Sequence, residues 1–206
     1  MRYTEELCTR YPALRAVKSD IENAVNIILD SYRSGGKILL CGNGGSAADC
    51  EHISGEFLKG FLMKREPTGE ELLALKETLG ERAEKLQRGV AAIPLTSLSS
   101  SLSAFANDVD AELVYAQLVY ALGKKGDVLL SISTSGNSKN EALSVKCAKA
   151  LGIKTIALTG EGGGALLSLA DVTVKAPECE TYKIQEYHLP IYHAICADVE
   201  EILFAK

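Results

Sequence analysis

No basic run, no long apolar run and no paired-cysteine spacing occurs in this chain, and each absence removes a class of function. Lysine and arginine number 22 against 27 aspartates and glutamates, a net charge of −5. That balance gives no general footprint for nucleic acid or an anionic membrane, although a local basic patch stays open. No stretch of about 18 uninterrupted apolar residues is present, so a spanning helix is not expected. The opening MRYTEELCTRYPALRAV lacks an apolar signal segment, and the expected location is the cytoplasm. Cys8, Cys41, Cys50, Cys147, Cys179 and Cys196 show no CxxC spacing, and several lie in apolar runs such as KILLC and HAICADV. They read as reduced core residues, not as a disulfide framework or a zinc knuckle. With 206 residues, 47% of them hydrophobic, the chain can bury one substantial core.

Against these absences stand two short loops, Gly42-Asn43-Gly44-Gly45-Ser46 and Ser133-Thr134-Ser135-Gly136-Asn137-Ser138. Each follows an apolar strand pattern (KILLC, 37–41; DVLLSI, 127–132) and precedes a helical one. Glycines there let the backbone approach an anion while the first helical N–H groups and the hydroxyls point at it. A turn followed by an N-cap would use the same residues. Finding the arrangement twice in a small chain favours a phosphate or phosphosugar ligand.

The rest of the pattern is a helix over 14–32 ending at Gly35-Gly36, then alternating strands and helices. Helices are expected at 47–62, 111–123, 139–151, near 166 and 182–204, and further strands at 90–95, 154–158 and 171–174, with a serine-rich turn after 95. Such alternation implies an α/β fold, with a parallel sheet covered on both faces and ligands at the carboxyl ends of its strands. The charged segment 63–88, with Pro67-Thr68-Gly69-Glu70 as a helix start, breaks the rhythm. It reads as an amphipathic insertion over the surface or a neighbouring subunit.

Histidine is scarce, and its placement is informative. His52 and Glu56 share one helix face, as half of a metal site or as a surface pair. His188 and His193 fall in the last helical pattern with Gln185 and Glu186. Gln185 and His193 are eight residues apart, about 12 Å along a continuous helix. Either the helix begins between them, or they reach sites in different subunits.

The segments GNGGSAADCEHISGE, ISTSGNS, LTGEGGG and IQEYHLPIYH, in this order, closely resemble the sugar isomerase (SIS) domain proteins of the phosphoheptose isomerase group. The resemblance implies a three-layer sandwich with a five-stranded parallel sheet over 1–206 and a homotetramer with sites between subunits. It implies interconversion of sedoheptulose 7-phosphate and D-glycero-D-manno-heptose 7-phosphate. It assigns zinc to His52, Glu56, Gln185 and His193. Ser133, Thr134, Ser135 and Ser138 become phosphate contacts beside Asn43, Gly44 and Ser46, and Asn107-Asp108 matches a further active-site motif. Moving a carbonyl between C1 and C2 needs a base and an acid, for which Glu56 and His193 are the candidates; holding metal would compete with those roles. His188 reads as a packing residue.

Two departures bear on the substrate. Where the family pattern is E-L-x-G-R-F, this chain has Glu56-Phe57-Leu58-Lys59-Gly60-Phe61, which keeps a charge but loses the planar fork of arginine. The insertion then follows directly, leaving open a sugar phosphate other than the heptose. Relatives of this shape also include non-catalytic proteins that bind a replication initiator, and sugar-phosphate sensors. Retention of His52, Glu56, Gln185 and His193 argues against the former, and the lack of room for a DNA-binding segment against the latter.

Overall fold

The computed structural model describes residues 1–205. Its centre is a parallel sheet of β1 (Ile38–Gly42), β2 (Ala92–Pro94), β3 (Val128–Ile132), β4 (Lys154–Thr159) and β5 (Val172–Lys175), in the order β2-β1-β3-β4-β5. Side chains alternate across it. Ile38, Leu40, Val128, Leu130 and Ile132 enter one core, whereas Leu39, Cys41 and Leu129 enter the other. Burial on both faces is why these strands read as continuous apolar runs. The first face is covered by α1 (Arg2–Arg10), α2 (Lys18–Arg33), α3 (Gly45–Leu58) and α9 (Thr181–Phe204). The second is covered by α5 (Ser99–Phe105), α6 (Val114–Leu122), α7 (Lys139–Ala150) and α8 (Leu166–Leu169). The expected three-layer α/β sandwich is what forms.

Several elements differ from the sequence pattern, each for a physical reason. α1 was not expected; its first turn is held by Asp198, whose carboxylate accepts from the N–H of Tyr3 and Thr4 at 2.8 and 2.9 Å and from the Thr4 hydroxyl at 2.6 Å. Residues 12–17 form a 3-10 turn opened by Pro12, so the helix expected from 14 starts at Lys18. Ser99–Phe105 is a helix where a serine-rich turn was expected, because Leu102 and Phe105 pack on the second core. The edge strand β2 shrinks to three residues ending at Pro94, which has no N–H to offer. The cysteines are all free and four are buried, but Cys147 is half-buried and Cys179 is exposed, outside the core expected for them.

Helix α3 stops at Leu58, short of the expected 62, because the chain turns into a buried ion pair. Arg65 and Glu200 are both fully buried, with Nε 2.7 Å from Oε1. Arg65 also donates to the carbonyls of Phe57 and Glu56 at 2.7 and 2.9 Å, closing the end of α3. Glu200 accepts from the N–H groups of Phe61, Leu62 and Met63. Beyond this anchor, α4 (Gly69–Leu79) buries none of its residues, and Leu73 is 65% exposed. The insertion therefore lies on the surface of the chain.

Replacing Arg65 by Met leaves a buried carboxylate without its cation, and chemical denaturation should show a loss of about 3 to 5 kcal/mol. The double variant Arg65→Met/Glu200→Met should not regain wild-type stability, because three backbone N–H groups then lose their acceptor. Full recovery in the double variant would show that the ion pair acts only through its own charges.

Candidate active site

Strand order reverses between β1 and β3, and Gly42 pairs with Ile132 at their carboxyl ends. The two loops therefore leave the sheet side by side, at the switch point where α/β sheets bind ligands. They meet through side chains. Asn43 donates from Nδ2 to Asn140 Oδ1 (3.1 Å) and to Glu141 Oε1 (2.7 Å), and Asn140 Nδ2 donates back to Asn43 Oδ1 (2.9 Å). The Ser133 and Ser138 hydroxyls are 3.1 Å apart, while Ser135 Oγ accepts from the Asn137 N–H. Ser46 is buried at the start of α3, where its N–H reaches the Asn43 carbonyl. A cavity of about 290 Å³ opens between the loops, floored by Glu141 and closed by Thr181 and Gln185 of α9.

Gly136 adopts φ +66 and presses on the third glycine-rich loop, whose Leu166 N–H donates to the Gly136 carbonyl at 3.1 Å. A Cβ there would overlap the Gly163 carbonyl. Gly45 faces Gln185 in the same way, a Cβ standing 2.5 Å from Gln185 Nε2. Close backbone approach, not turn-making alone, explains these two glycines.

A second cluster lies further along the same helices. His52 Nε2 is 3.3 Å from Glu56 Oε1 and 3.4 Å from His193 Nε2. On its other side, His52 Nδ1 is 3.0 Å from the Tyr192 hydroxyl, which donates to Asp49 Oδ1 at 3.2 Å. With its single proton directed to Asp49, the Tyr192 oxygen accepts from His52 Nδ1–H. His52 Nε2 is then a bare lone pair facing a carboxylate and a second imidazole. Burial, reinforced by the neighbouring His52, pushes the His193 pKa down, favouring its neutral form. Phe61 covers His193 at 5.4 Å between ring centroids, and Lys59 Nζ lies 3.2 Å from Glu56 Oε2.

The donor types suit zinc, and the two distances from His52 match the edge of about 3.3 Å that a tetrahedron with bonds of about 2.05 Å would have. The Asp49–Tyr192–His52 relay is the kind of outer contact that fixes a ligand's tautomer. His52 forms two such edges. No group of three or more His, Cys, Asp or Glu side chains is closed into a metal cage among the described residues.

The remaining candidates fall elsewhere. Gln185 lines the loop cavity, not the histidine cluster, although both it and His193 belong to the uninterrupted α9. The alternative of a helix beginning between them is thereby removed. Asn107 and Asp108 lie on an exposed π-helical turn, 106–110, hydrogen-bonded to each other, and Asp108 lines a different cavity with Ser101 and Gln117. His188 is fully buried, its Nε2 3.2 Å from the Thr159 carbonyl, and desolvation lowers its pKa to about 4. Glu141, Asp49 and Tyr192 were not anticipated. Asp49, His52 and Glu56 follow the i, i+3, i+7 rule for one helix face, so that signal was available.

A family model for the SIS domain matches residues 2–92 and 89–160. The chain belongs to the SIS domain family. It is 42% identical over 186 residues to phosphoheptose isomerase 2 of Campylobacter jejuni, covering 90% of this chain and 82% of that protein. It is 35% identical over 207 residues to the phosphoheptose isomerase of Shewanella denitrificans, covering 99% and 94%. The structure of phosphoheptose isomerase from Neisseria gonorrhoeae superposes with a TM-score of 0.76 at 32% identity over 97% of this chain and 95% of that one. That from Francisella tularensis gives the same score at 28% identity and the same coverage. The resemblance carried by the four motifs is borne out. No helix among the described residues is long and apolar enough to cross a membrane.

Gly136→Ala should perturb the second loop, because both its φ and its contact with Gly163 oppose a Cβ. Gly162→Ala, where a Cβ meets nothing within 4 Å, serves as the control. Thermal unfolding and loop amide exchange should change in the first variant and hardly in the second. Equal behaviour would mean that the close approach does not constrain the loop.

Proposed function

We propose that the chain is an aldose–ketose isomerase of a sugar phosphate, interconverting sedoheptulose 7-phosphate and D-glycero-D-manno-heptose 7-phosphate. The observation that carries this reading is the arrangement of two centres on α3 and α9. Both helices start at the loop cavity, with Gly45 and Gln185, and carry His52 and His193 seven and eight residues further on. At 1.5 Å per residue the separation is about 10 to 12 Å, suited to a long acyclic sugar phosphate with its phosphate in the loops and its carbonyl at the histidines.

In that pose the loop hydroxyls and N–H groups hold the phosphate. Glu56 takes the proton from the carbon beside the carbonyl and returns it to the neighbouring, former carbonyl carbon, while His193, kept neutral by burial, takes the hydroxyl proton and delivers it to the former carbonyl oxygen. Lys59, against Glu56, supplies positive charge near the enediolate. His52, Glu56 and His193 would hold zinc, which when bound supplies a Lewis acid for the substrate oxygens. Gln185 would complete that set from a neighbouring copy, consistent with a cytoplasmic homotetramer whose sites lie between subunits. A non-catalytic partner-binding or sensing role is not favoured, since the full-length relatives are isomerases and the cluster is intact.

An isomerisation assay over five-, six- and seven-carbon ketose phosphates, with metal analysis on the same sample, should show highest kcat/KM for the seven-carbon substrate and about one zinc per subunit. Turnover confined to a shorter sugar would reassign the substrate, and no turnover at all would remove the enzyme. His52→Ala and His193→Ala should lose the zinc while keeping the fold.

Subunit exchange separates the shared residues. Mixed Gln185→Ala and His193→Ala proteins should recover activity, whereas mixed Glu56→Ala and His193→Ala proteins should not, because Glu56 and His193 meet His52 within one chain. The reverse outcome would refute the arrangement.

A further inference from the structure

Glu141 stands where a phosphate-binding loop would not be expected to hold a carboxylate. It is 1% exposed and floors the cavity between the two loops. Its Oε1 accepts from Asn43 Nδ2 at 2.7 Å and its Oε2 from the Ser131 hydroxyl at 3.1 Å, and the Ser133 and Ser138 hydroxyls, 3.1 Å from each other, line the same cavity. Asn43, and the Ser133 and Ser138 hydroxyls beside it, are groups assigned to the phosphate. A carboxylate and a dianion would therefore compete for the same donors and repel each other.

We propose that Glu141 gates the loop cavity: its carboxyl engages the phosphate donors in the free protein, and it carries a proton whenever a dianionic phosphate is bound. This rests on the reading of the loops as the phosphate site. Binding then exchanges contacts without placing two negative charges together, and the protonated carboxyl donates to the anion or to a loop oxygen.

Among the described residues that line the cavity there is no lysine or arginine to relieve the charge. On its own helix Lys139, two residues earlier in sequence, is 76% exposed and paired with Glu112. β1 presents the Cys41 thiol, α3 the Cys50 thiol and α6 the Tyr115 hydroxyl, all held neutral by burial. β3 presents serines, and α9 presents Thr181 and Gln185. Burial, only partly opposed by the hydroxyl hydrogen bonds, pushes the Glu141 carboxyl up to about 8. The proton is thus available near neutral pH and is lost as pH rises past that value, so anion affinity should be full below it and fall above it.

Sulfate is the suitable probe, because it stays dianionic throughout and isolates the protein's own titration. Calorimetric titration of the wild type should show a sulfate Kd that is level from pH 6 to 7.5 and rises about tenfold per pH unit above 8. Glu141→Gln should bind sulfate with one Kd from pH 6 to 9.5 and without the proton uptake that the wild type shows between buffers of different ionisation enthalpy. Glu141→Met, followed with thermal unfolding at each pH, guards against a fold defect in the first variant and should be equally pH-independent. The same pH dependence and proton uptake in the wild type and both variants would overturn the gate. Failure of both sulfate and heptose 7-phosphate to bind any of the proteins would overturn the phosphate reading itself.

Discussion

The parallel register that sets Gly42 beside Ile132 is the constraint on which the rest depends. Because β1 and β3 are neighbours while their following helices pass to opposite faces of the sheet, the loop after each strand opens toward the other. A shift of one residue in that pairing would invert the alternation of Leu39 and Leu40 between the two cores, so burial enforces the register strongly. The hydrogen bonds of Asn43 to Asn140 and Glu141 then join the loops across the gap. The cavity follows from the sheet, and the loop sequences decide what it can hold.

A second constraint governs the other end of α3. Arg65 reaches the carbonyls of Glu56 and Phe57 while its partner Glu200 gathers three N–H groups of the following segment. The end of α3, and with it the backbone at Glu56, is thus clamped to α9, which also bears His193. This explains why an insertion can leave the chain directly beyond Arg65 without disturbing the cluster. The charged helix 69–79 fully buries none of its residues, with Leu72 and Leu75 half-buried.

Much of this was legible in the sequence, for physical reasons that also mark where legibility ended. The strands at 38–42, 128–132 and 154–159 announced themselves because two-sided burial demands continuous apolar residues. The helix 2–10 did not, since it depends on Asp198, some 194 residues away from Thr4. The helix 99–105 did not, because serine favours turns and only packing of Leu102 and Phe105 overrides that preference. At the site, the shared face of His52 and Glu56 and the separation of Gln185 from His193 both followed from helical periodicity. That His193 meets His52 within one chain required knowing how α3 and α9 pack. The inward direction of Glu141 was hidden likewise, since a glutamate in the first turn of a helix ordinarily faces solvent and favours the helix dipole.

The cavity between the loops is lined by hydroxyls, amides, backbone and the Glu141 carboxyl, with no lysine or arginine among the described residues of its walls. A phosphate bound there, as proposed, would be held by dipoles, which are directional and weaker than full charges. Lys59 sits instead just past the far end of α3, against Glu56. On the proposed function, phosphate anchoring and charge stabilisation fall at separate positions along α3 and α9. On that reading a substrate too short to reach from one to the other would gain the anchor without the chemistry, so discrimination by chain length would arise from the spacing along the helices without contact to the carbons between.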